Sequence, residues 1–130
     1  MTGQVIWITG LSGAGKTTVA EHLTLRIRKL GLKPILLDGD ILRSLFKNME
    51  VISETYNRDA RTKLALKYAH ICKILSSQDF TVIIATVSMF REVYAWNRAN
   101  LTNYFEVYLK VPLDELRLRD PKKIYQRYVL

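Results

Sequence analysis

A glycine-rich segment near the N-terminus has the residue types and the spacing of a phosphate-binding loop. Residues 10–17 read GLSGAGKT, which matches the pattern G-x-x-x-x-G-K-[ST]. Glycines let successive N–H groups face phosphate oxygens, and the following helix adds its positive N-terminal end. Lys16 can bridge the β- and γ-phosphates, and the Thr17 hydroxyl can ligate Mg²⁺. The residues expected to hold a nucleoside triphosphate are Gly10, Ser12, Gly13, Ala14, Gly15, Lys16, Thr17 and Thr18.

Two carboxylates follow the next apolar segment and narrow the reaction class. Asp38 and Asp40 come directly after residues 34–37, a short buried strand by its composition. The sequence has no Asn-Lys-x-Asp guanine-reading motif, and the third strand ends without the acid that motor ATPases carry there. This arrangement favours a small-molecule kinase that uses ATP, with a carboxylate beside the γ-phosphate. The alternative interpretation is that residues 38–40 form only a polar turn.

Strand-like and helix-like segments alternate along the chain. In chain order, the predicted elements are strand 4–9, helix 16–30, strand 34–37, helix 58–77, strand 80–87, helix 92–102, strand 105–111 and helix 112–118. A polar, irregular stretch is expected between the second strand and the long helix. The alternation predicts right-handed crossovers and a doubly wound parallel sheet covered on both faces, which is a three-layer α/β/α fold.

Composition excludes several other classes of protein. The 130 residues, 48% hydrophobic and 25% charged, indicate one domain over 1–130, and no apolar run approaches the ~20 residues of a membrane helix. The single cysteine, Cys72, and the lack of a signal-peptide pattern favour a cytoplasmic location. The net charge of +8 suits nucleic acid, an anionic membrane surface or an anionic small ligand, or simply a solvated basic surface. No nucleic-acid-binding motif accompanies it, so we expect a small-molecule partner and no membrane.

Five segments in order give the sequence a specific resemblance. The phosphate-binding loop, residues 37–43 (LDGDILR), 87–91 (VSMFR), 105–113 (FEVYLKVPL) and 119–125 (RDPKKIY) resemble motifs of the adenylylsulfate (APS) kinases. These are P-loop enzymes that phosphorylate the ribose 3′-hydroxyl of adenylyl sulfate. The resemblance implies a P-loop NTPase-type fold, ATP and Mg²⁺ as cofactors, and a 5′-activated nucleotide as the acceptor.

The resemblance also implies roles for individual residues. Asp40 is the expected base for the ribose hydroxyl, and Asp38 lies nearer the metal and the γ-phosphate. Arg43 and Arg58 are expected to hold the anionic acceptor, because a guanidinium grips a phosphoryl group at two points. Either arginine has the alternative of being a solvated helix residue. Arg61 belongs to the same expected cluster.

Two further groups are expected at the same edge of the sheet. Ser88 and Arg91 follow the third strand, where ligands of such sheets bind, although Ser88 is equally well interpreted as a helix cap. The basic segment 116–128 corresponds to a lid over the phosphates, with Arg119 on the ATP and Lys122 on the acceptor.

The sequence departs from the family pattern on the acceptor side. Residues 51–53 (VIS) lack the ring that stacks on adenine, Arg61 replaces an asparagine, and Met89 replaces a proline. Losing a stacking ring removes roughly 1–3 kcal/mol per base by analogy with single-strand binding. The acceptor is therefore adenylyl sulfate or a related nucleotide. One alternative is cytidine diphosphoramidate, whose kinases are linked to bacterial capsule modification.

Two expectations concern the chain as a whole. Four strands are predicted, whereas P-loop kinases usually have a fifth strand and a closing helix, so these are expected to be missing. The open sheet edge favours pairing with another chain, and we expect a homodimer. A nucleotide-binding regulatory protein without catalysis is the remaining class, and the intact Lys16, Thr17, Asp38 and Asp40 argue against it.

Overall fold

A parallel sheet with helices on both faces forms the fold, in a computed structural model that describes residues 3–46 and 58–119. In chain order its elements are β1 Gln4–Gly10, α1 Lys16–Lys29, β2 Pro34–Asp38, α2 Gly39–Phe46, α3 Arg58–Ser76, β3 Thr81–Thr86, α4 Arg91–Asn100, β4 Tyr104–Leu109 and α5 Leu113–Arg119. The strand order is β2-β3-β1-β4, and every neighbouring pair is parallel. The predicted doubly wound α/β fold is confirmed.

The central strand β1 divides its side chains between two cores. Val5 and Trp7 pack with α3 and α4 on one face of the sheet, whereas Ile8 packs with α1 on the other. All three side chains are fully buried. A strand that is apolar on both faces is typical of a covered parallel sheet, which explains why the continuous apolar run 4–9 predicted it.

The long helix α3 presents the apolar face that its periodicity predicts. Leu64 and Tyr68 are buried, and Ile71 and Leu75 are half-buried on the same side. Cys72 is completely buried among them, as expected of a core residue. Burial raises the pKa of its thiol from 9.0 to about 12, so the sulfur stays protonated at neutral pH.

The expected irregular stretch after β2 is wrong in its first part, because α2 begins at Gly39. A carboxylate oxygen of Asp38 accepts a hydrogen bond of 2.8 Å from the backbone N–H of Asp40, which caps the helix. The start of α2 also packs tightly on β3. A Cβ at Gly39 would lie 2.7 Å from the carbonyl oxygen of Ala85, so only glycine fits there.

Some predicted features lie outside the described residues. These are residues 51–53, Lys122 and most of the expected lid 116–128, of which α5 contains only the beginning. Within residues 3–46 and 58–119, no helix is long and apolar enough to cross a membrane.

Candidate active site

The predicted site residues meet at the carboxyl edge of the sheet. The phosphate-binding loop follows β1, Asp38 ends β2, and Ser88 follows β3. Because α3 and α4 run back from this edge, their first residues, Arg58 and Arg91, begin there as well. Open α/β sheets bind ligands at this edge, beside the point where successive connections diverge. The topology therefore brings together groups that are distant in the chain.

The start of α1 is free of side-chain competition for an anion. Gly15 is its N-cap, with φ +95°, and no side chain hydrogen-bonds to the cap. The first turn also has no acidic residue. N–H groups at a helix start without a side-chain cap suit a phosphate, which fits the triphosphate that the motif predicts.

The loop is also lined by a cation. Lys16 Nζ donates a hydrogen bond of 3.0 Å to the carbonyl oxygen of Leu11, so the ammonium group lies across the loop. Thr17 and Thr18 follow on the first turn of α1, and both are exposed. A compact ammonium beside backbone N–H groups neutralises phosphate charge. The arrangement supports triphosphate binding.

Arg119 comes to this loop from the far end of the described chain. Its Nη1 donates a hydrogen bond of 3.0 Å to the carbonyl oxygen of Gly13, and its Nε donates one of 3.1 Å to Glu115. Glu115 precedes Arg119 by one helical turn and forms an ion pair with it. Glu115 was missed as a neighbour of Arg119, although their i,i+4 spacing is a sequence signal for such a pair.

The two aspartates occupy different environments. Asp38 is half-buried, and one of its oxygens accepts the cap hydrogen bond of α2. Asp40 is exposed on the first turn of that helix, with Arg43 on the next turn. The alternative interpretation, in which residues 38–40 form only a polar turn, is therefore incomplete, because Asp38 caps α2. A carboxylate has two acceptor oxygens, so the second oxygen of Asp38 can still bind a cation.

A cation cluster lies at the start of α3 and α4. Arg58 Nη2 contacts both carboxylate oxygens of Glu92 at 3.2 Å. The guanidinium carbons of Arg58 and Arg61 lie 5.4 and 5.6 Å from the centroid of the Phe90 ring. Arg58 therefore forms an ion pair with Glu92 and a cation–π contact with Phe90, although 61% of its side chain is exposed. Glu92 and Phe90 were missed as neighbours of Arg58 because no local pattern links residues so far apart, and Glu92 follows Arg58 by 34 positions.

Ser88 does not cap a helix, so that interpretation is wrong. Its hydroxyl forms a hydrogen bond of 2.7 Å with the Thr86 hydroxyl, and its backbone N–H approaches the same oxygen at 3.3 Å. Helix α4 begins at Arg91 after Phe90, which makes no side-chain cap. Ser88 is buried against the end of β3, next to the position where Gly39 packs.

A polar network ties the first half of β4 to the last turns of α4, away from the carboxyl edge of the sheet. Tyr104 donates a hydrogen bond of 2.8 Å to Glu106 and receives one of 3.2 Å from Asn97 Nδ2. Arg98 forms an ion pair with the same glutamate. Burial raises the pKa of the Tyr104 phenol. The network fixes the position of α4 relative to the sheet.

The oxygen ligands expected for Mg²⁺ match the chemistry of that ion. Thr17 supplies a hydroxyl and Asp38 a carboxylate, and Mg²⁺ sites commonly combine one or two such groups with phosphates and water. Among residues 3–46 and 58–119, no three histidines, cysteines or carboxylates cluster as a separate metal site. The donors present therefore fit a metal that arrives with a nucleotide.

Comparison with known proteins points to one family. A family model described as adenylylsulphate kinase matches residues 2–128. The chain is 40% identical over 123 residues to the cytidine diphosphoramidate kinase of Campylobacter jejuni, which covers 95% of this chain and 69% of that protein. It is 33% identical over 126 residues to the adenylyl-sulfate kinase of Picosynechococcus sp., with 96% and 68% covered. The Mycobacterium tuberculosis APS kinase in complex with AMPPNP and APS superposes with a TM-score of 0.84 at 28% identity, over 98% of this chain and 73% of that one.

Proposed function

Because the chain belongs to the adenylylsulphate kinase family, we propose that it transfers the γ-phosphoryl group of ATP to the ribose 3′-hydroxyl of a 5′-activated nucleotide. One observation carries the proposal. The phosphate-binding loop, the carboxylates after β2 and the arginines at the start of α3 all lie at one edge of the sheet. A donor nucleotide and an anionic acceptor can therefore meet there.

The residues of the loop would hold the triphosphate. Backbone N–H groups of residues 10–18 would bind its oxygens, Lys16 would neutralise their charge, and Arg119 would close over the nucleotide from α5. Thr17 and Asp38 would ligate Mg²⁺. When bound, ATP supplies the phosphoryl group, and Mg²⁺ balances the negative charge that builds up on the phosphate oxygens.

Asp40 would accept the proton of the attacking hydroxyl. A ribose hydroxyl is a poor nucleophile, so a carboxylate within hydrogen-bond reach accelerates its attack. The exposed position of Asp40 at the start of α2 makes it accessible to an acceptor. The hydrogen bond from its backbone N–H to Asp38 fixes this residue relative to β2. The base would thus be positioned by the residue proposed to hold the metal.

The acceptor would bind through cations around α2, α3 and α4. Guanidinium groups match the oxygens of sulfate and phosphate in pairs, which gives the site its preference for an acidic nucleotide. Ser88 would contribute a hydroxyl from the end of β3. The proposed acceptor residues are Asp40, Arg43, Arg58, Arg61, Ser88, Arg91 and Lys122.

Adenylyl sulfate and cytidine diphosphoramidate are the two leading acceptors. The altered residues on the acceptor side and the 40% identity to a cytidine diphosphoramidate kinase favour the second, which would connect the protein with capsule modification. The 33% identity to an adenylyl-sulfate kinase supports adenylyl sulfate as the other candidate acceptor. Both reactions use the same donor site and the same base.

A coupled assay of ADP release tests the proposal. The wild-type protein with MgATP should give turnover with at least one of the two acceptors, whereas Lys16→Ala should give none. Sugars and nucleoside monophosphates complete the panel. Turnover with one of these, but with neither 5′-activated nucleotide, would refute the proposed acceptor class.

A nucleic-acid-binding function is the competing explanation of the +8 charge. Binding of labelled single- and double-stranded oligonucleotides across a salt titration distinguishes the two, because backbone binding weakens steeply with salt. We expect no binding at physiological salt. The proposed homodimer is tested in the same preparation by sedimentation equilibrium.

A further inference from the structure

One carboxylate lies among the cations proposed to bind the acceptor. Glu92 is the second residue of α4, and both of its oxygens contact Arg58 at 3.2 Å. The APS kinase motifs that the sequence resembles give this position no role. A carboxylate beside a bound anion repels it, so this residue is unexpected in a site for an acidic nucleotide.

The geometry places Glu92 next to any group that Arg58 would hold. A guanidinium has five N–H donors in a planar fork, and both contacts to Glu92 use Nη2. An acceptor bound at another edge of the same fork would therefore be a close neighbour of the Glu92 carboxylate. Half of the Glu92 side chain is exposed, and an exposed ion pair is weak. Glu92 can thus turn from Arg58 towards a ligand at little cost.

The chemistry of the neighbouring group decides whether that carboxylate attracts or repels it. A terminal sulfate or phosphate offers only acceptor oxygens and negative charge, and an ionised carboxylate is itself an acceptor only. The two repel each other. A phosphoramidate end carries an NH₂ group, whose N–H bonds point donors at a carboxylate.

We propose that Glu92 is a specificity-determining residue that accepts a hydrogen bond from an N–H donor on the terminal phosphoryl group of the acceptor. It thereby selects nucleoside diphosphoramidates over sulfated and unmodified nucleotides. Arg58 grips the anionic oxygens of the same group. The inference rests on the proposed kinase function and names the class of acceptor for that site.

Two acceptors that differ by a single group give a matched test. Cytidine diphosphoramidate and cytidine diphosphate share base, ribose and both phosphorus atoms, and differ in NH₂ against an oxygen. The measured quantity is the kcat/KM for the diphosphoramidate divided by the kcat/KM for the diphosphate. We expect Glu92→Gln to reduce this ratio about tenfold, the effect of losing one hydrogen bond to a charged group. Adenylyl sulfate should be used equally well or better by this variant.

The control is Glu21→Gln, which removes an exposed carboxylate from α1 and should leave the ratio unchanged. An equal fall of kcat/KM for all three acceptors would overturn the inference, because Glu92 would then merely hold Arg58. If the wild-type protein uses the diphosphoramidate and Glu92→Gln leaves the ratio unchanged, the inference alone is overturned. A wild-type protein that phosphorylates none of the three would overturn the proposed function together with it.

Discussion

Arg119 donates a hydrogen bond of 3.0 Å to the carbonyl oxygen of Gly13, although the two residues are 106 positions apart. The contact joins the last described helix to the middle of the phosphate-binding loop. It holds a guanidinium beside the loop, so less side-chain freedom has to be lost when a nucleotide binds there.

Replacing Arg119 should weaken ATP binding. Arg119→Ala removes a charge-assisted contact of about 1.5–3 kcal/mol, so we expect the KM for ATP to rise roughly tenfold or more. The matched control is Arg117→Ala, two residues earlier on α5 and without a proposed contact to the loop. Steady-state kinetics with ATP varied at saturating acceptor measure the effect. Equal changes in both variants would mean that only the general positive charge of α5 matters.

Replacing Asp40 should remove catalysis and spare ATP binding. Asp40→Asn keeps the size of the side chain but abolishes the base, and we expect kcat to fall about 10²–10⁴-fold. Titration with a fluorescent ATP analogue should give nearly the wild-type Kd. Asp79→Asn, in the turn before β3 at the opposite edge of the sheet, serves as the control. Wild-type turnover by Asp40→Asn would refute the assignment of the base.

Two substitutions of Asp38 should separate its cap from its proposed metal role. Asp38→Asn retains a side-chain oxygen for the backbone N–H of Asp40, so the stability should change little. Asp38→Ala loses the cap and should lower the free energy of unfolding by about 1 kcal/mol. Both variants should need more Mg²⁺ for half-maximal activity. Urea denaturation and Mg²⁺ titrations measure the two effects, and an unaltered Mg²⁺ requirement in both variants would exclude Asp38 as a ligand.

The buried thiol of Cys72 should be inert in the native protein. Its pKa is raised to about 12 by burial, so the thiolate is scarce at pH 8 and a thiol reagent should react only after urea is added. Because the folded pKa is the higher one, folding favours the protonated thiol. Its contribution to stability is complete below pH 9 and is lost as the pH rises towards 12. Rapid modification without denaturant would show that this part of α3 opens readily.

Elements defined by burial were predictable from the sequence, and α2 was not. The strands and α3 have apolar patterns that match one or two covered faces. In α2, Leu42 is buried and Phe46 packs against the core, whereas Ile41 and Leu45 are 62% and 67% exposed, so apolar character alone does not single out the core-facing side of this short helix. Its start depends on the Asp38 cap and on the tight contact of Gly39 with β3, and the latter exists only after the sheet has formed.

The candidate site was predictable in its chemistry and incompletely in its contacts. The phosphate-binding motif and the carboxylates follow from residue types and short spacing. The pairing of Arg58 with Glu92 depends on how α3 and α4 pack, and no local pattern encodes it. The hydrogen bond between the Thr86 and Ser88 hydroxyls likewise depends on the backbone conformation at the end of β3, which the residue types do not encode.

The strand order sets the distance between the phosphate-binding loop and the carboxylate at the end of β2. Strand β3 lies between β1, which leads into the phosphate-binding loop, and β2, which ends at Asp38. The backbones of β1 and β2 are therefore two strand spacings apart, about 10 Å. No side chain as short as an aspartate spans that gap to the facing backbone. The loop and Asp38 are therefore held one strand apart, a distance that a nucleotide with its metal ion is large enough to bridge.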